Sequence, residues 1–250
     1  AEIIDPIISQ ALAKKQAQDD RDAKKAEKQL KKIRVAKHIA ASGPSAALHL
    51  VEGDSALGPS AVVRDPKKHG FFPLRGVLMN VWEKTHSQAI SNKEISELVA
   101  VLGLSITDPN SWKRMHYRDI RITSDADVDG GKIATLIVAL FVRFWPGLVT
   151  DGRLSIIRSP VLISSKGKDV KWFYDLNEAS DFIAASKGYE HRYIKGLGSL
   201  EDEEYRKVIH EPVLDVIRYS PETDKPFLDM MFVKDGSSER KTFMEGGGDI

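Results

Sequence analysis

The sequence predicts an α/β fold in which a mostly parallel sheet is flanked by helices. Short apolar segments with strand character alternate with amphipathic segments of helical period. Glycine and proline separate these segments, and several of the strand-like ones run directly into acidic or glycine-rich motifs. Strand, helix and strand in succession are typical of a Rossmann-like parallel sheet covered by helices.

The segment before Gly43-Pro44 has the composition of one long helix. Alanine, lysine, glutamine and glutamate dominate it, and no glycine or proline interrupts it between Ile8 and Ala41. Its dense charges are mixed and mainly basic. A solvated helix face explains them, and a DNA or subunit surface is the alternative.

The remaining elements follow from apolar period and from cap residues. Asn92 is a plausible N-cap and Gly103 lies near the end of one amphipathic helix. The predicted order is a strand over 49–51, a helix over 92–104, a strand over 119–123, a helix over 132–145, a strand over 153–158, a hairpin around 166–168 and a helix over 200–209. We therefore divide the chain into a basic N-terminal helix (1–43), a main α/β domain (44–165) and a C-terminal extension with a helical tail (166–250).

Composition excludes several classes of function. The 250 residues include 37 basic and 36 acidic ones and no cysteine. Disulfide frameworks, cysteine zinc sites and thiol catalysis are therefore excluded, and any nucleic-acid binding must use locally concentrated charge. No apolar run approaches the length of a membrane span, so we expect a soluble protein without a membrane partner. The missing initiator Met and the glycine-rich end suggest a piece of a larger protein.

An acidic cluster follows the predicted strand 119–123. Asp125, Asp127 and Asp129 alternate with other residues, and Gly130 opens the next helix. Ligand sites collect at the carboxyl ends of parallel strands, and crowded carboxylates there favour a hard cation such as Mg2+. A calcium EF-hand is the competing interpretation, but its twelfth position would be Leu136 instead of glutamate. A solvated acidic turn is the plainer alternative.

Glu52 strengthens the metal interpretation. It also ends a predicted strand, and a neighbouring parallel strand would bring it beside Asp125 and Asp127. A glutamate from one strand and an Asp-x-Asp pair from another form a two-part metal site. No phosphate-binding loop, complete dinucleotide fingerprint or nucleophile elbow competes with it.

Four motifs resemble the Toprim region of type IIA DNA topoisomerases, whose B-type subunits include gyrase B. They occur in the family's order over residues 48–210, and the basic N-terminal helix has its counterpart there. The motifs are Glu52-Gly-Asp-Ser-Ala56, Pro73-Leu-Arg-Gly76 with Leu78-Met-Asn-Val81, Thr123-Ser-Asp-Ala-Asp-Val-Asp-Gly130 and Tyr193-Ile-Lys-Gly-Leu-Gly198.

The motif spacing and several sequence segments of the chain are most similar to those of the large topoisomerase subunit of T-even-type bacteriophages. The connection between the third and fourth motifs is short, and Trp145-Pro146, Lys171-Trp-Phe-Tyr174 and the run from Arg192 to Leu200 carry the likeness. The chain departs from relatives at Gly131-Lys132, where a histidine often follows, so Lys132 could face phosphate instead.

The resemblance implies that this chain holds the metal of a split DNA-cleavage site. Glu52, Asp125 and Asp127 would bind one or two Mg2+ ions, with Mn2+ as a substitute, and Asp129 would help a second metal or lie in an outer shell. Arg75, Lys195 and Lys132 would contact DNA phosphates, although an internal ion pair is open to Arg75. Close approach of the DNA to the main chain would occur at Gly76, Gly196 and Gly198. Gly53 and Asp54 would shape the edge of the cleavage pocket.

The same resemblance implies the partners. They are a double-stranded gate segment of DNA and an A-type subunit with the nucleophilic tyrosine, joined in a heterotetrameric core. None of the tyrosines here is assigned that role, and the motifs of the family's ATPase are absent, so ATP would act only through another region. We expect a cytoplasmic, nucleoid-associated protein, in the host cell if phage-encoded.

Two other interpretations remain. A different Toprim enzyme, such as a primase, a type IA topoisomerase or an OLD-type nuclease, would share the metal residues but lack the second and fourth motifs. A non-catalytic DNA-binding assembly module would retain the fold with a vestigial acidic loop, although all four predicted acids are present.

Overall fold

The computed structural model describes residues 4–30, 35–123 and 128–245, without the side chains of residues 4–6, 128, 129 and 244. Its strands are β1 (Ala47–Glu52), β2 (His69–Leu74), β3 (Asp119–Thr123), β4 (Leu154–Ile157), β5 (Leu162–Lys166), β6 (Asp169–Phe173), β7 (Glu190–Tyr193) and β8 (Leu214–Val216). Its α-helices are α1 (Ile4–Leu30), α2 (Leu57–Val63), α3 (His86–Ser91), α4 (Lys93–Leu102), α5 (Val128–Phe144), α6 (Pro146–Thr150), α7 (Leu176–Ala185), α8 (Asp202–His210), α9 (Pro221–Phe232) and α10 (Ser237–Glu245).

The central sheet has five strands in the order β2–β1–β3–β4–β8. The first four strands are mutually parallel, and β8 pairs antiparallel with β4. The prediction of an α/β fold with a mostly parallel sheet is confirmed. Because β1 lies between β2 and β3, the first and third motifs leave neighbouring strands at the same edge.

A second, antiparallel sheet follows in the order β6–β5–β7. The predicted hairpin around 166–168 is confirmed, with Gly167 at a left-handed φ of 60° between β5 and β6. Strand β8 then returns from the C-terminal extension to the central sheet. The boundaries at residues 43 and 165 stay predictions.

The two faces of the central sheet are covered by different helices. Successive residues of a strand point to opposite faces, so Leu48 and Leu50 lie in the larger core while Val51 lies in the smaller one. Helices α4 and α5 contribute to the larger core, and α2 and α8 contribute to the smaller one. Among the helices that the structure describes, none combines the length and apolar character needed to cross a membrane.

The predicted N-terminal helix is too long. Helix α1 is described up to Leu30, and residues 35–41 are not helical. Ile39 instead forms an antiparallel bridge with Phe71 on β2, with main-chain hydrogen bonds of 2.9 and 2.8 Å. Alanine- and lysine-rich composition favours a helix locally, but pairing with the outer edge of β2 satisfies the main chain of Ile39 as well. Tertiary contact therefore overrides propensity at this end.

Helix α1 is held on the domain by polar side chains. Asp19 accepts hydrogen bonds from the hydroxyl of Thr85 at 2.7 Å and from Ser87, at the beginning of α3. Glu27 accepts from the main-chain N–H of Ile106 at 2.6 Å. Part of the predicted solvated face thus packs against the loops that flank α3 and α4.

Two further helix boundaries differ from the prediction. The apolar helix was predicted from residue 132, but it already includes Val128, so Gly130 and Gly131 are helical as well. Pro146 does more than end that helix, because it occupies the first position of α6. Proline fits there, since the first helical N–H needs no intrahelical acceptor. The last predicted helix begins two residues late, at Asp202.

Lys37 is a buried cation between two carboxylates. Its Nζ lies 2.5 Å from Glu94 and 3.1 Å from Glu97, and 4.4 Å from the centre of the Phe72 ring. Removing one partner of such a group leaves the others desolvated and uncompensated. This cluster joins the segment after α1 to α4 and β2.

We expect Lys37→Met to lower the free energy of unfolding by about 3 kcal/mol, because two partly buried carboxylates lose their counter-charge. Urea denaturation measures this. Lys93→Met is the matched control, since Lys93 is exposed and 3.9 Å from Glu97. Its loss should stay below about 1 kcal/mol. Equal losses in the two variants would contradict the role given to Lys37.

Three histidines lie together on the smaller core. The ring centroids of His49 and His69 are 5.5 Å apart, and those of His69 and His210 are 4.7 Å apart. The main-chain N–H of Asp65 donates to Nδ1 of His69 at 3.1 Å, so this nitrogen is unprotonated. Burial, assisted by the neighbouring His210, lowers the pKa of His69 from 6.5 to about 4.

This depressed pKa makes the fold acid-sensitive. The unfolded chain binds a proton at His69 near pH 6.5, whereas the folded chain resists protonation until about pH 4. Stability is therefore present above pH 6.5 and falls as the pH drops through this window. We expect His69→Asn, which keeps an acceptor for Asp65 but does not titrate, to lose less stability between about pH 7 and pH 5. Unfolding curves at both pH values test this, and an unchanged pH dependence would refute it.

Candidate metal and DNA site

A cavity of about 550 Å³ opens at the carboxyl end of β1 and β3. Glu52 and Gly53 line it after β1, Thr123 lines it at the end of β3, and Leu197 and Gly198 line it from the loop after β7. Parts of three of the four motifs therefore contribute to one concave site. The complete lining is Val51, Glu52, Gly53, Ser55, Ala56, Pro59, Thr123, Leu197, Gly198, Leu200, Asp202 and Tyr205.

Glu52 is delivered to the cavity by the end of β1. It is the last residue of that strand, where its register partner on β2 is Leu74, and it is half-buried. Gly53 then adopts a left-handed φ of 70°, and its N–H donates to the carbonyl of Leu74 at 2.9 Å. A residue with a Cβ would be strained there, so glycine permits the turn that ends β1 beside the cavity.

The third motif leaves β3 next to Glu52. Val51 and Thr123 are direct partners across the parallel β1–β3 pair, and both line the cavity. Asp125 and Asp127 lie outside the described residues, and the side chain of Asp129 is not described either. Their role as metal ligands stays a prediction, while the strand that precedes them ends at the predicted edge.

The fourth motif contributes two residues to the cavity lining. Lys195 is exposed, Gly196 has extended backbone, and a short 3-10 turn over Leu197–Ser199 places Leu197 and Gly198 on the cavity. A Cβ at Gly198 would meet no atom within 4 Å, and its backbone is not left-handed. Neither internal packing nor backbone conformation requires glycine at this position, which leaves room for a ligand to approach the main chain.

Arg75 and Asp54 join the second motif to the first. The Nε of Arg75 donates to both carboxylate oxygens of Asp54 at 3.1 and 3.0 Å, and this hydrogen bond raises the pKa of Arg75 above its usual range. The internal ion pair considered for Arg75 is thus present. Both side chains are about half exposed, so the pair lies at the surface. Gly76 follows with a left-handed φ of 80° and open space around it.

Lys132 stands apart from the cavity lining. It is exposed near the beginning of α5, directly after Gly131, where a Cβ would again meet open space. The structure neither brings Lys132 into the cavity nor buries it.

Sequence reasoning missed several cavity residues. Asp202 adds a further exposed carboxylate to the lining, and the Tyr205 hydroxyl lies 2.9 Å from the Ser60 hydroxyl. Asp202 could have been found, because the fourth motif runs straight into α8 and places its first turn beside the loop. Tyr205 could not, because its contact with α2 joins residues 145 positions apart.

A separate acidic group lies between α1 and α3. Asp19, Asp20 and His86 offer ligand atoms within 4.8 Å of one another, the spacing of a metal site. All three already have partners inside the chain: Asp19 bonds Thr85 and Ser87, and Asp20 bonds Nδ1 of His86 at 2.7 Å. These contacts attach α1 to the beginning of α3, and this attachment accounts for the closeness of the three side chains.

Comparison with known proteins places this architecture. The family model for the C-terminal associated domain of TOPRIM matches residues 157–247. A putative mitochondrial DNA topoisomerase 2 of Caenorhabditis elegans is 35% identical over 82% of this chain and 18% of its own length. The B subunit of DNA topoisomerase 4 from Haemophilus influenzae is 33% identical over 81% of this chain and 34% of its own. The chain belongs to the type IIA DNA topoisomerases, as a Toprim region.

A solved structure supports this assignment independently. The DNA-binding, cleavage and re-ligation domain of Plasmodium falciparum topoisomerase II superposes with a TM-score of 0.76 at 28% identity, covering 84% of this chain and 31% of that one. The B subunit of DNA gyrase from Thermotoga maritima is 28% identical over 96% of the chain and 40% of its own length. This Toprim region thus spans well under half the length of these relatives.

We expect Gly198→Ala to leave the free energy of unfolding of this Toprim region within about 0.5 kcal/mol of wild type, because the new methyl group enters open space. Gly103→Ala is the contrast. Gly103 caps α4 at a left-handed φ of 70°, and a Cβ there would lie 2.5 Å from the His116 ring. That variant should lose at least about 1 kcal/mol. Chemical denaturation compares them, and a similar loss at Gly198 would show that packing requires its glycine.

Proposed function

We propose that this chain supplies the metal-binding half of the DNA-cleavage site of an ATP-dependent type II DNA topoisomerase, an isomerase. In that reaction a tyrosine of the partner subunit attacks a DNA phosphate, and the 3′ oxygen departs. One observation carries the proposal. Glu52, the strand end at Thr123 and Gly198 line one cavity, although they lie far apart in the sequence.

The chemistry of the donor set fits Mg2+. Glu52 offers carboxylate oxygens at the half-buried rim of the cavity, and Asp125, Asp127 and Asp129 follow Thr123 within six residues of sequence. Mg2+ prefers hard oxygen ligands, uses few protein carboxylates and keeps several waters. The open space at Gly198 leaves room for those waters and a phosphate. Mn2+, with the same ligand preference, should substitute.

Glu52, Asp125 and Asp127 would hold the reactive metal, and Asp129 a second ion or the outer shell. When bound, one or two Mg2+ ions would supply Lewis-acid stabilisation of charge on the phosphate and the 3′ oxygen. The carboxylates themselves fix the position of that site at the end of the parallel strands. Holding the metal on one subunit and the tyrosine on another makes cleavage conditional on assembly.

Basic side chains in and around the site, together with its glycines, would bind the DNA backbone. Lys195 and Lys132 are exposed near the two motifs and can meet phosphates as point charges. Arg75, already oriented by Asp54, keeps about half its side chain exposed and can add a third contact. Close approach of the DNA would use the main chain at Gly53, Gly76, Gly196 and Gly198, with Asp54 at the edge of the pocket.

The remaining parts of the proposal concern the whole enzyme. We infer a double-stranded gate segment as substrate and an A-type subunit as partner in a heterotetrameric core. ATP would act through another region of the enzyme. We also propose a cytoplasmic, nucleoid-associated location, which would be in the host cell if the chain is phage-encoded. The short connection between the third and fourth motifs, similar to that of T-even-type subunits, supports a bacteriophage origin.

We expect Glu52→Gln to lower Mg2+-dependent cleavage of supercoiled plasmid by at least about a hundredfold. Mutation of a residue that only hydrogen-bonds to a metal ligand already lowers metal affinity or activity by about 10- to 100-fold. The chain is mixed with its A-type partner without ATP, and the reaction is stopped with detergent and protease. Asp125→Ala should behave alike, and EDTA should abolish the product. Asp181→Asn, an exposed change on α7, is the matched control.

The same assay separates the alternatives. Linear DNA with protein on its 5′ ends, formed only with the partner, supports the split site. Cleavage without any partner would indicate a nuclease of the Toprim group. A folded, partner-bound wild-type chain that never cleaves would indicate a non-catalytic assembly module.

A further inference from the structure

The loop that carries the fourth motif is held both by apolar packing and by hydrogen bonds within its turn. Leu197 is buried in the smaller core. The N–H and hydroxyl of Ser199 both donate to the carbonyl of Gly196, at 3.0 and 2.7 Å, and the N–H of Leu200 donates to Leu197 at 3.2 Å. These bonds shape the short turn, and a further contact attaches Ser199 from outside it.

Arg192 supplies that attachment. It lies on β7, three residues before Lys195, and its Nη1 donates to the carbonyl of Ser199 at 3.2 Å. Its Nη2 forms an ion pair with the carboxylate of Glu204 on α8. The guanidinium thus spans from the strand before the loop to the helix after it. Arginine suits this geometry, since its planar fork reaches two acceptors in fixed directions.

Glu204 closes the arrangement from the other side. Its second carboxylate oxygen accepts the main-chain N–H of Glu201 at 3.0 Å, as part of a capping box at the beginning of α8. Helix α8 is itself fixed to α2 through the hydroxyl contact of Tyr205 with Ser60. A continuous chain of contacts therefore runs from α2, which follows the first motif, to the loop of the fourth motif.

We propose that Arg192 is a positioning residue, which with Glu204 holds the loop from Gly196 to Leu200 against the cavity and aims Lys195 at the DNA backbone. The proposal rests on the proposed function for Lys195, but it gives a role to a residue that lies outside the four motifs. An exposed ion pair usually adds little stability, so a purely structural contact of this kind would change neither loop dynamics nor DNA binding.

The test uses Arg192→Lys, which keeps the charge but cannot reach both acceptors in the same way. Hydrogen exchange of the full chain should become faster by at least about tenfold at the amides of Ser199, Leu200 and Glu201, because local opening costs less. Arg158→Lys is the matched control. Arg158 is about as exposed as Arg192 and pairs with Asp215 at 2.7 Å, away from the loop.

DNA binding gives the second readout. With the A-type partner and a linear duplex, Lys195→Ala should reduce the salt dependence of affinity by about one phosphate contact. Arg192→Lys should produce much of the same reduction. The double variant should bind DNA no more weakly than Lys195→Ala alone, since both changes remove the same phosphate contact, that of Lys195. Arg158→Lys should bind as wild type.

Unchanged exchange at the loop amides in Arg192→Lys would overturn the proposal. Independent, multiplying effects of Arg192→Lys and Lys195→Ala on affinity would overturn it too, because Arg192 would then act by itself. If Lys195→Ala leaves the salt dependence unchanged, the phosphate contact in the proposed function fails instead, and the exchange result alone still decides whether Arg192 holds the loop.

Discussion

The main-chain pairing of β1 with both β2 and β3 is the constraint on which the rest of the structure depends. It aligns three parallel strands so that Val51 meets Thr123 and Glu52 meets Leu74 at one edge. Parallel strands share the direction of their carboxyl ends, so residues that leave them gather there. The cavity at this edge follows from that alignment, and the fourth motif reaches it only because α8 packs beneath the same face of the sheet.

Charged side chains hold the flanking segments on this sheet. Lys37 ties the segment after α1 to α4, Asp54 orients Arg75, and Glu204 joins Arg192 to the beginning of α8. These contacts differ in burial, and their expected contributions differ accordingly. Removing a buried, paired cation such as Lys37 destabilises the fold, because its carboxylate partners lose their counter-charge. Exposed pairs orient their side chains more than they lower the free energy of the fold.

Much of the fold and part of the site could be predicted from the sequence. Apolar alternation located β1 and β3, and a cap at each end located α4, because these signals are local. The non-helical conformation of residues 35–41 could not be predicted. Alanine and lysine favour a helix there, whereas Ile39 pairs with Phe71 at the edge of β2. The contact of Tyr205 with Ser60 was equally inaccessible, because no local pattern links α8 to α2.

The sequence by itself determined which residues are candidates for the site. Acidic groups after two strands offer oxygen ligands for a cation, and glycines in two loops add no side chain beside the main chain, whatever the packing. Tertiary structure decided which of these groups meet. It joined Arg75 to Asp54, placed Glu52 and Gly198 on one cavity and left Lys132 outside its lining. Side-chain identity fixes what a group can bind, whereas strand order and helix packing fix its neighbours, and those depend on contacts distant in sequence.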